Sequence, residues 1–264
     1  MENNHAFSTI DPPAVIACAE KESGLQLTGM ITPYNSYINR VFGLQDTNGT
    51  RYIVKFYRPG RWSREAILEE HSFVLDCASR EVPVVPPVTL TQGSTLGEAD
   101  GILFALYPHR AGQTFDITGD RDWMRLGALV GRMHMVGKGG KADARLTLTP
   151  QMASAQYHRA LLGADLVHPS CRPDFISVCD EAVSLMTPLF HQLTHIRIHG
   201  DCHRGNILDR LDEGLLLIDF DDMMTGPAVQ DLWLLLPDHL NRSGAEMEML
   251  LEGYTQFTSF DRRE

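Results

Sequence analysis

Residues 199–222, HGDCHRGNILDRLDEGLLLIDFDD, contain a short apolar run, a polar turn and a second apolar run. This pattern admits little besides a β-hairpin. The turn LDEG (211–214) reverses the chain, and counting back from it sets Ile207 opposite Ile218 and Leu208 opposite Leu217. On that count Asn206 and Asp219 are neighbours at one end of the hairpin, because residues facing each other across an antiparallel pair are in side-chain contact. Asp201 stands five residues before Asn206, on the loop that leads in.

The hairpin interrupts a helical pattern and follows a strand-rich one. NSYINRVFGLQ (35–45) and RYIVKFY (51–57) read as strands flanking the turn DTNG, with Asn-Gly as the hairpin signal. A helix is expected over 63–80, with Ser63 as N-cap and Glu65 in its first turn. VPVVPPVTL is extended and broken by proline, and GILFALYP (101–108) is a buried strand. From Asp122 the periodicity becomes helical, and after the hairpin it returns at 228–236 and 244–257. The 264 residues therefore predict an α+β protein of two lobes. Residues 1–108 form an antiparallel sheet with one helix. Residues 109–264 form a mainly helical lobe that carries the hairpin. The joint falls in YPHRAGQ, near 106–112.

Composition excludes several classes. A net charge of −11 is wrong for a nucleic-acid binder. Five scattered cysteines without a C-x-x-C predict reduced thiols in a cytoplasm rather than disulfides or zinc. No apolar run approaches the ~18 residues of a membrane span. MENNHAFSTIDPP lacks the basic start and apolar core of a secretory leader.

The oxygen-bearing pair Asn206 and Asp219 suits Mg²⁺, a hard cation that takes one or two carboxylates and leaves phosphate oxygens and water to complete its shell. D-x-x-x-x-N followed, after a hairpin, by Asp-Phe is the spacing of phosphoryl transfer. One carboxylate takes a hydroxyl proton, and the Asn and second Asp hold metal on the phosphates. Asp201 and Asp219 are the candidate catalytic residues, and Asn206 and Asp219 the candidate metal ligands.

Such chemistry needs a cation for the phosphates, and Lys55 in YIVKFY supplies one. Its carboxylate partner should come from the helix 63–80. There Glu70 falls within the apolar stripe of Ala66, Ile67, Phe73, Val74, Cys77 and Ala78, while Glu69 falls at its margin. PYNSYINR (33–40) is the candidate phosphate-covering loop, through Ser36 and nearby backbone N–H groups. GKGGKAD (137–143) has no following Ser or Thr and no preceding strand, so it reads as a connecting loop. Asp231, inside an apolar helix, should be buried in support of the 199–206 loop, while His199 and His203 brace that loop. Asp221 is a metal or support residue and Asp222 a structural one. Cys202 and His203 lack recurring ligand partners. The arginines of YRPGRWSR (57–64) are either a solvated turn or a docking patch for an acidic partner.

Together NSYINRV, VKFYRPGRWS, ILEEHSF, HGDCHRGNIL and DFDDMMTGPAVQDLW resemble the aminoglycoside phosphotransferase/choline kinase superfamily of protein-kinase-like folds and, within it, the bacterial stress response kinases. The resemblance spans nearly the whole chain. It implies Asp201 as the base, Mg²⁺ on Asn206 and Asp219, Lys55 on the α- and β-phosphates of ATP, and Ser36 in the ATP-covering loop. The hinge at 106–108, including Tyr107, would meet adenine through backbone groups. The implied activity is phosphorylation of serine and threonine in proteins, itself included, by a cytoplasmic monomer with no nucleic-acid or membrane partner. A small-molecule alcohol kinase on the same fold is the alternative, since the chemical residues are common to both. Members of the family continue with further helices past the position of Glu264.

Overall fold

A computed structural model describes Phe7 and residues 10–264, so most of the stretch read for a leader lies outside the described residues. The chain divides into two compact units. One runs to Asp116 and takes in Arg204–Asp221; the other comprises Ile117–His203 and Asp222–Glu264.

The first unit opens with helix α1 (Pro12–Ser23). A five-stranded antiparallel sheet follows in the order β1-β2-β3-β5-β4, from β1 (Leu27–Tyr34), β2 (Arg40–Asp46), β3 (Arg51–Phe56), β4 (Gly97–Ala99) and β5 (Ile102–Pro108). Alternation along β2 and β5 puts Phe42, Leu44, Phe104 and Leu106 into one core, with Val54 and Phe56 from β3 and Val15 and Ala19 from α1. Helix α2 (Arg64–Ser79) starts at Ser63, whose hydroxyl accepts from the Ala66 N–H at 3.2 Å. Its buried face carries Ala66, Ile67, Phe73, Val74 and Cys77, as the periodicity predicts, together with Glu70 and His71, while Ala78 at its end is only half-buried.

Strand β2 is shorter than expected. It begins at Arg40, and residues 35–39 bend instead of extending. Arg58 explains the bend: its guanidinium donates to the carbonyls of Ile38 (3.0 Å) and Tyr37 (3.2 Å), and its N–H donates to the Asn39 side chain (3.2 Å). Those backbone acceptors are therefore spent on an arginine rather than on strand pairing.

The hairpin pairs Ile207–Asp209 with Leu215–Leu217, and a third strand, β6 (Gln113–Thr114), pairs with its outer edge. The Leu217 N–H also donates to the Pro83 carbonyl at 2.9 Å. These bonds place the hairpin in the compact unit that holds the sheet, whereas its position in the chain suggested the helical half. The register is one residue off the expected count. Ile207 faces Leu217 and Leu208 faces Leu216, while Ile218 N–H donates to the Asn206 carbonyl at 3.0 Å. Asn206 thus sits opposite Ile218, and Asp219 lies one step beyond.

The second unit is mainly helical. Helix α3 (Asp120–Gly137) packs on helix α6 (Gly244–Tyr254), with α4 (Arg172–Phe190) and α5 (Val229–Trp233) between them in sequence. The α3–α6 contact is so close that a Cβ on Gly127 would stand 1.8 Å from the Leu250 carbonyl oxygen. A short antiparallel pair, Ile196–Ile198 with Met224–Gly226, leads into and out of the loop at 199. Two glycines of the loop 137–143 answer to packing on Arg197: a Cβ on Gly137 would lie 2.2 Å from its carbonyl oxygen, and one on Gly140 2.4 Å from its guanidinium. Among the described residues, no helix is long and apolar enough to cross a membrane.

Candidate active site

In the first unit the site is built around Lys55 on β3. Its Nζ lies 2.9 Å from Asp219 Oδ1 and 3.1 Å from Asp221 Oδ1. Burial alone would lower the ammonium pKa, but the charges of Asp219, Asp221 and Glu70 outweigh it and hold the pKa well above its ordinary value. Lys55 is therefore a fixed cation. Glu70 is 2% exposed, as its place on the α2 stripe predicts, and its Oε1 lies 3.5 Å from the Tyr57 hydroxyl.

Asp219 adopts a left-handed backbone with φ of 62°. Aspartate tolerates that region better than most residues, and such outliers gather at functional sites. The turn sends three consecutive side chains to different fates. Asp219 stays half exposed, Phe220 is buried edge-on against Phe73 of α2 at 5.8 Å, and Asp221 is buried. Asp221 Oδ2 also meets Arg61 Nη1 at 3.1 Å.

Behind Lys55 lies a polar cluster that periodicity did not single out. The Tyr57 hydroxyl is 2.9 Å from both His71 Nε2 and the Tyr107 hydroxyl, and His71 Nδ1 is 2.8 Å from Thr95 Oγ1. Burial pushes the Tyr57 and Tyr107 pKa values up, so both hydroxyls remain protonated donors. Tyr107 thus turns its side chain toward this cluster. In the hinge, the Leu106 carbonyl already accepts from Val88 N–H at 2.7 Å. Ser36, in the exposed bend, accepts from the Asn39 N–H at 3.3 Å, which orders the loop tip.

The arginines of 57–64 are engaged within the protein. Arg58 holds the 36–39 bend, Arg61 meets Asp221, and Arg64 pairs with Glu98. The turn is thus a set of internal clasps.

In the second unit, Asp201 and its loop rest on Asp231. That carboxylate is fully buried and accepts from the backbone N–H groups of His199 (2.7 Å) and Gly200 (2.9 Å) and from His134 Nε2 (2.9 Å). Burial pushes its pKa up, yet the bonds and charges of His134 and His199 outweigh that and leave it below the ordinary 3.8. His134 Nδ1 lies 3.1 Å from the Tyr254 hydroxyl, so the loop is tied through Asp231 to α3, α5 and α6. His199 Nδ1 accepts from the Asp201 N–H at 3.3 Å. Gly200 has a φ of 85°, and a Cβ there would meet the Asp222 carbonyl oxygen at 2.1 Å, so the loop turns where only glycine fits. The Asp201 side chain remains 45% exposed, 3.5 Å from His203 Nε2. Cys202 is buried, and burial followed by the charges of Asp231 and Asp201 raises its thiol pKa well above the usual range, which excludes a thiolate nucleophile.

Sequence reasoning placed Asp231 correctly but missed its partners. His134 and Tyr254 sit on helix faces that read simply as apolar, and a histidine within α3's buried stripe was the one available signal. His71 on α2 was missed for the same reason, whereas Tyr57 read as one more strand residue and Arg61 only as one of the arginines of 57–64. The donors offered to a metal are Asn206, which is 8% exposed, and the half-exposed Asp219. Among the described residues no group of three or more His, Cys, Asp or Glu forms a metal site. Such a sparse oxygen set fits a cation that arrives with phosphate and is coordinated partly by it.

Comparison with known proteins agrees with this geometry. Residues 31–264 match the model of the phosphotransferase enzyme family. Stress response kinase A of Escherichia coli (strain K12) is 37% identical over 265 residues, covering 99% of this chain and 80% of that protein. Serine/threonine protein kinase RdoA of Salmonella typhimurium (strain LT2) is 34% identical over 268 residues, covering the whole chain and 79% of its own length. Among solved structures, an amicoumacin kinase in complex with AMP-PNP, Ca²⁺ and Ami superposes with a TM-score of 0.78 at 22% identity, covering 95% of this chain and 79% of that one. The antiparallel sheet unit, the helical unit and the full-length matches lead to one conclusion: the chain belongs to the phosphotransferase enzyme family and is a kinase.

Proposed function

We propose that the protein is an ATP- and Mg²⁺-dependent kinase that phosphorylates serine and threonine hydroxyls in proteins, its own included. The ion pair between Lys55 and Asp219, 164 residues apart and 2.9 Å from each other, carries this reading. It brings together a cation on β3 and a carboxylate at the hairpin end, the two groups that kinase chemistry assigns to the phosphates and to the metal. A divalent metal on Asn206 and Asp219 would neutralise charge on the phosphate oxygens.

The chain's own groups have separable tasks. Lys55 binds the α- and β-phosphates with a charge that does not titrate near neutrality. The 36–39 bend, clasped by Arg58, presents Ser36 and backbone N–H groups to phosphate oxygens. Asp201, exposed on a loop anchored by Asp231, orients the acceptor hydroxyl and takes its proton. Phosphoryl transfer depends mainly on positioning and electrostatics, so rigid anchoring of both segments is what the chemistry demands.

A protein acceptor is supported by the relative named as a serine/threonine protein kinase, at 34% identity over the whole chain. A second reading, phosphorylation of a small-molecule alcohol, is favoured by the likeness in fold to the amicoumacin kinase. Incubation of the purified chain with ATP and Mg²⁺, followed by mass spectrometry, tests both. Phosphoserine or phosphothreonine in the wild type, and its loss in Asp201→Ala, is the expected result. Transfer to an amino alcohol or sugar with none to protein establishes the second reading. No transfer to any acceptor by a folded wild type overturns both.

A further inference from the structure

The turn after the hairpin offers Lys55 two carboxylates that differ in one respect. The side chain of Asp219 is 53% exposed, whereas that of Asp221 is 6% exposed. A half-exposed carboxylate can turn to a metal at little cost in desolvation. A buried one keeps the partners it has, because losing a cation would strand its charge. Each oxygen of Asp221 has its own cation: Lys55 Nζ on Oδ1 and Arg61 Nη1 on Oδ2, both at 3.1 Å. Any metal drawn to Asp219 competes with Lys55 for the same carboxylate. Once Asp219 turns away, Asp221 keeps its ion pair with Lys55, alongside the charge of Glu70.

We propose that Asp221 and Arg61 are positioning residues, with Asp221, anchored by Arg61, holding Lys55 aimed at the nucleotide phosphates while Asp219 leaves Lys55 for the metal. This rests on the kinase reading above and adds to it two residues that act through Lys55. Burial assigns the roles. Asp219 is the mobile ligand, Asp221 is the permanent partner, and Arg61 keeps Asp221 from following Lys55. Arg61 lies in the turn just ahead of α2, where its guanidinium also stands 5.7 Å from the centre of the Trp62 ring, and it is itself largely buried.

Calorimetric titration with ADP, with and without Mg²⁺, separates these roles without relying on turnover. Asp219→Asn should bring the affinities with and without Mg²⁺ to the same value. Asp221→Asn should weaken ADP about 10- to 100-fold in both conditions, the loss of one charge-assisted contact at the lysine, yet retain a dependence on Mg²⁺. Arg61→Gln should weaken ADP in the same pattern by a smaller factor, and Arg61→Lys should recover much of that loss. If Asp221→Asn does not fold, the Arg61 pair carries the test, since that side chain is the more exposed. ADP affinity within twofold of wild type in folded Asp221→Asn or, failing that variant, in Arg61→Gln overturns the proposal. So does loss of the Mg²⁺ dependence in Asp221→Asn, which would make Asp221 a metal ligand. Both outcomes leave the kinase reading standing, whereas a folded wild type that binds no nucleotide removes both.

Discussion

Replacing Asp231 by alanine removes the acceptor that three buried donors share. The His199 and Gly200 N–H groups and His134 Nε2, at 2.7–2.9 Å from the carboxylate, are left facing an apolar gap. Each stranded donor costs about 1–3 kcal/mol, partly offset because a carboxylate no longer has to be desolvated. A net loss of about 3–5 kcal/mol is expected, a large share of the ~5–15 kcal/mol that keeps a domain folded. Urea unfolding followed by far-UV circular dichroism at pH 7 measures it, with the slope checked for constancy. Asp231→Asn should recover only part of the loss, because its amide NH₂ group must face one of the same donors. The wild type adds a test in pH. The Asp231 pKa lies below its unfolded value of 3.8, so the unfolded chain binds the extra proton and stability rises with pH across that interval. The contribution is whole above pH 3.8 and disappears as pH falls through the folded pKa. Asp231→Ala should lack this component. A loss below about 1 kcal/mol in Asp231→Ala would refute the argument that these bonds hold the loop.

Gly127→Ala should lower the unfolding free energy obtained from urea titration by about 1–3 kcal/mol, since its Cβ would overlap the Leu250 carbonyl and force α3 from α6. Ser63→Ala should cost about 1 kcal/mol of stability in the same assay, through loss of the α2 cap. In the native protein at pH 8, Ellman's reagent should modify exposed Cys171 and leave buried Cys202 intact until denaturant is added, as peptide mass mapping will record.

Local pattern made much of this protein legible. The turn residues and apolar runs marked the hairpin, and Ser63 with the stripe behind it marked α2 and placed Glu70 inside. Register was less legible. Hydrophobic runs on both strands allow a shift by one residue, and the bond from Ile218 N–H to the Asn206 carbonyl, made outside the paired strands, decided it. The bend at 35–39 looked like strand because its side chains suit a strand. Its backbone acceptors are instead taken by Arg58, some twenty residues away.

The sequence by itself determined the chemical inventory: Asp201, Asn206 and Asp219 at kinase spacing, a lysine within an apolar strand, and a buried acid at Asp231. Residue type and short-range periodicity are local properties, so they can be read from the chain. Tertiary structure alone decided which charges meet. Lys55 finds Asp219 across 164 residues, His134 finds Tyr254 across 120, and Arg61 finds Asp221. It also separated two neighbouring aspartates, because a left-handed turn at Asp219 leaves one carboxylate half exposed and buries the next. Burial sets the cost of moving a charge, and burial belongs to the fold.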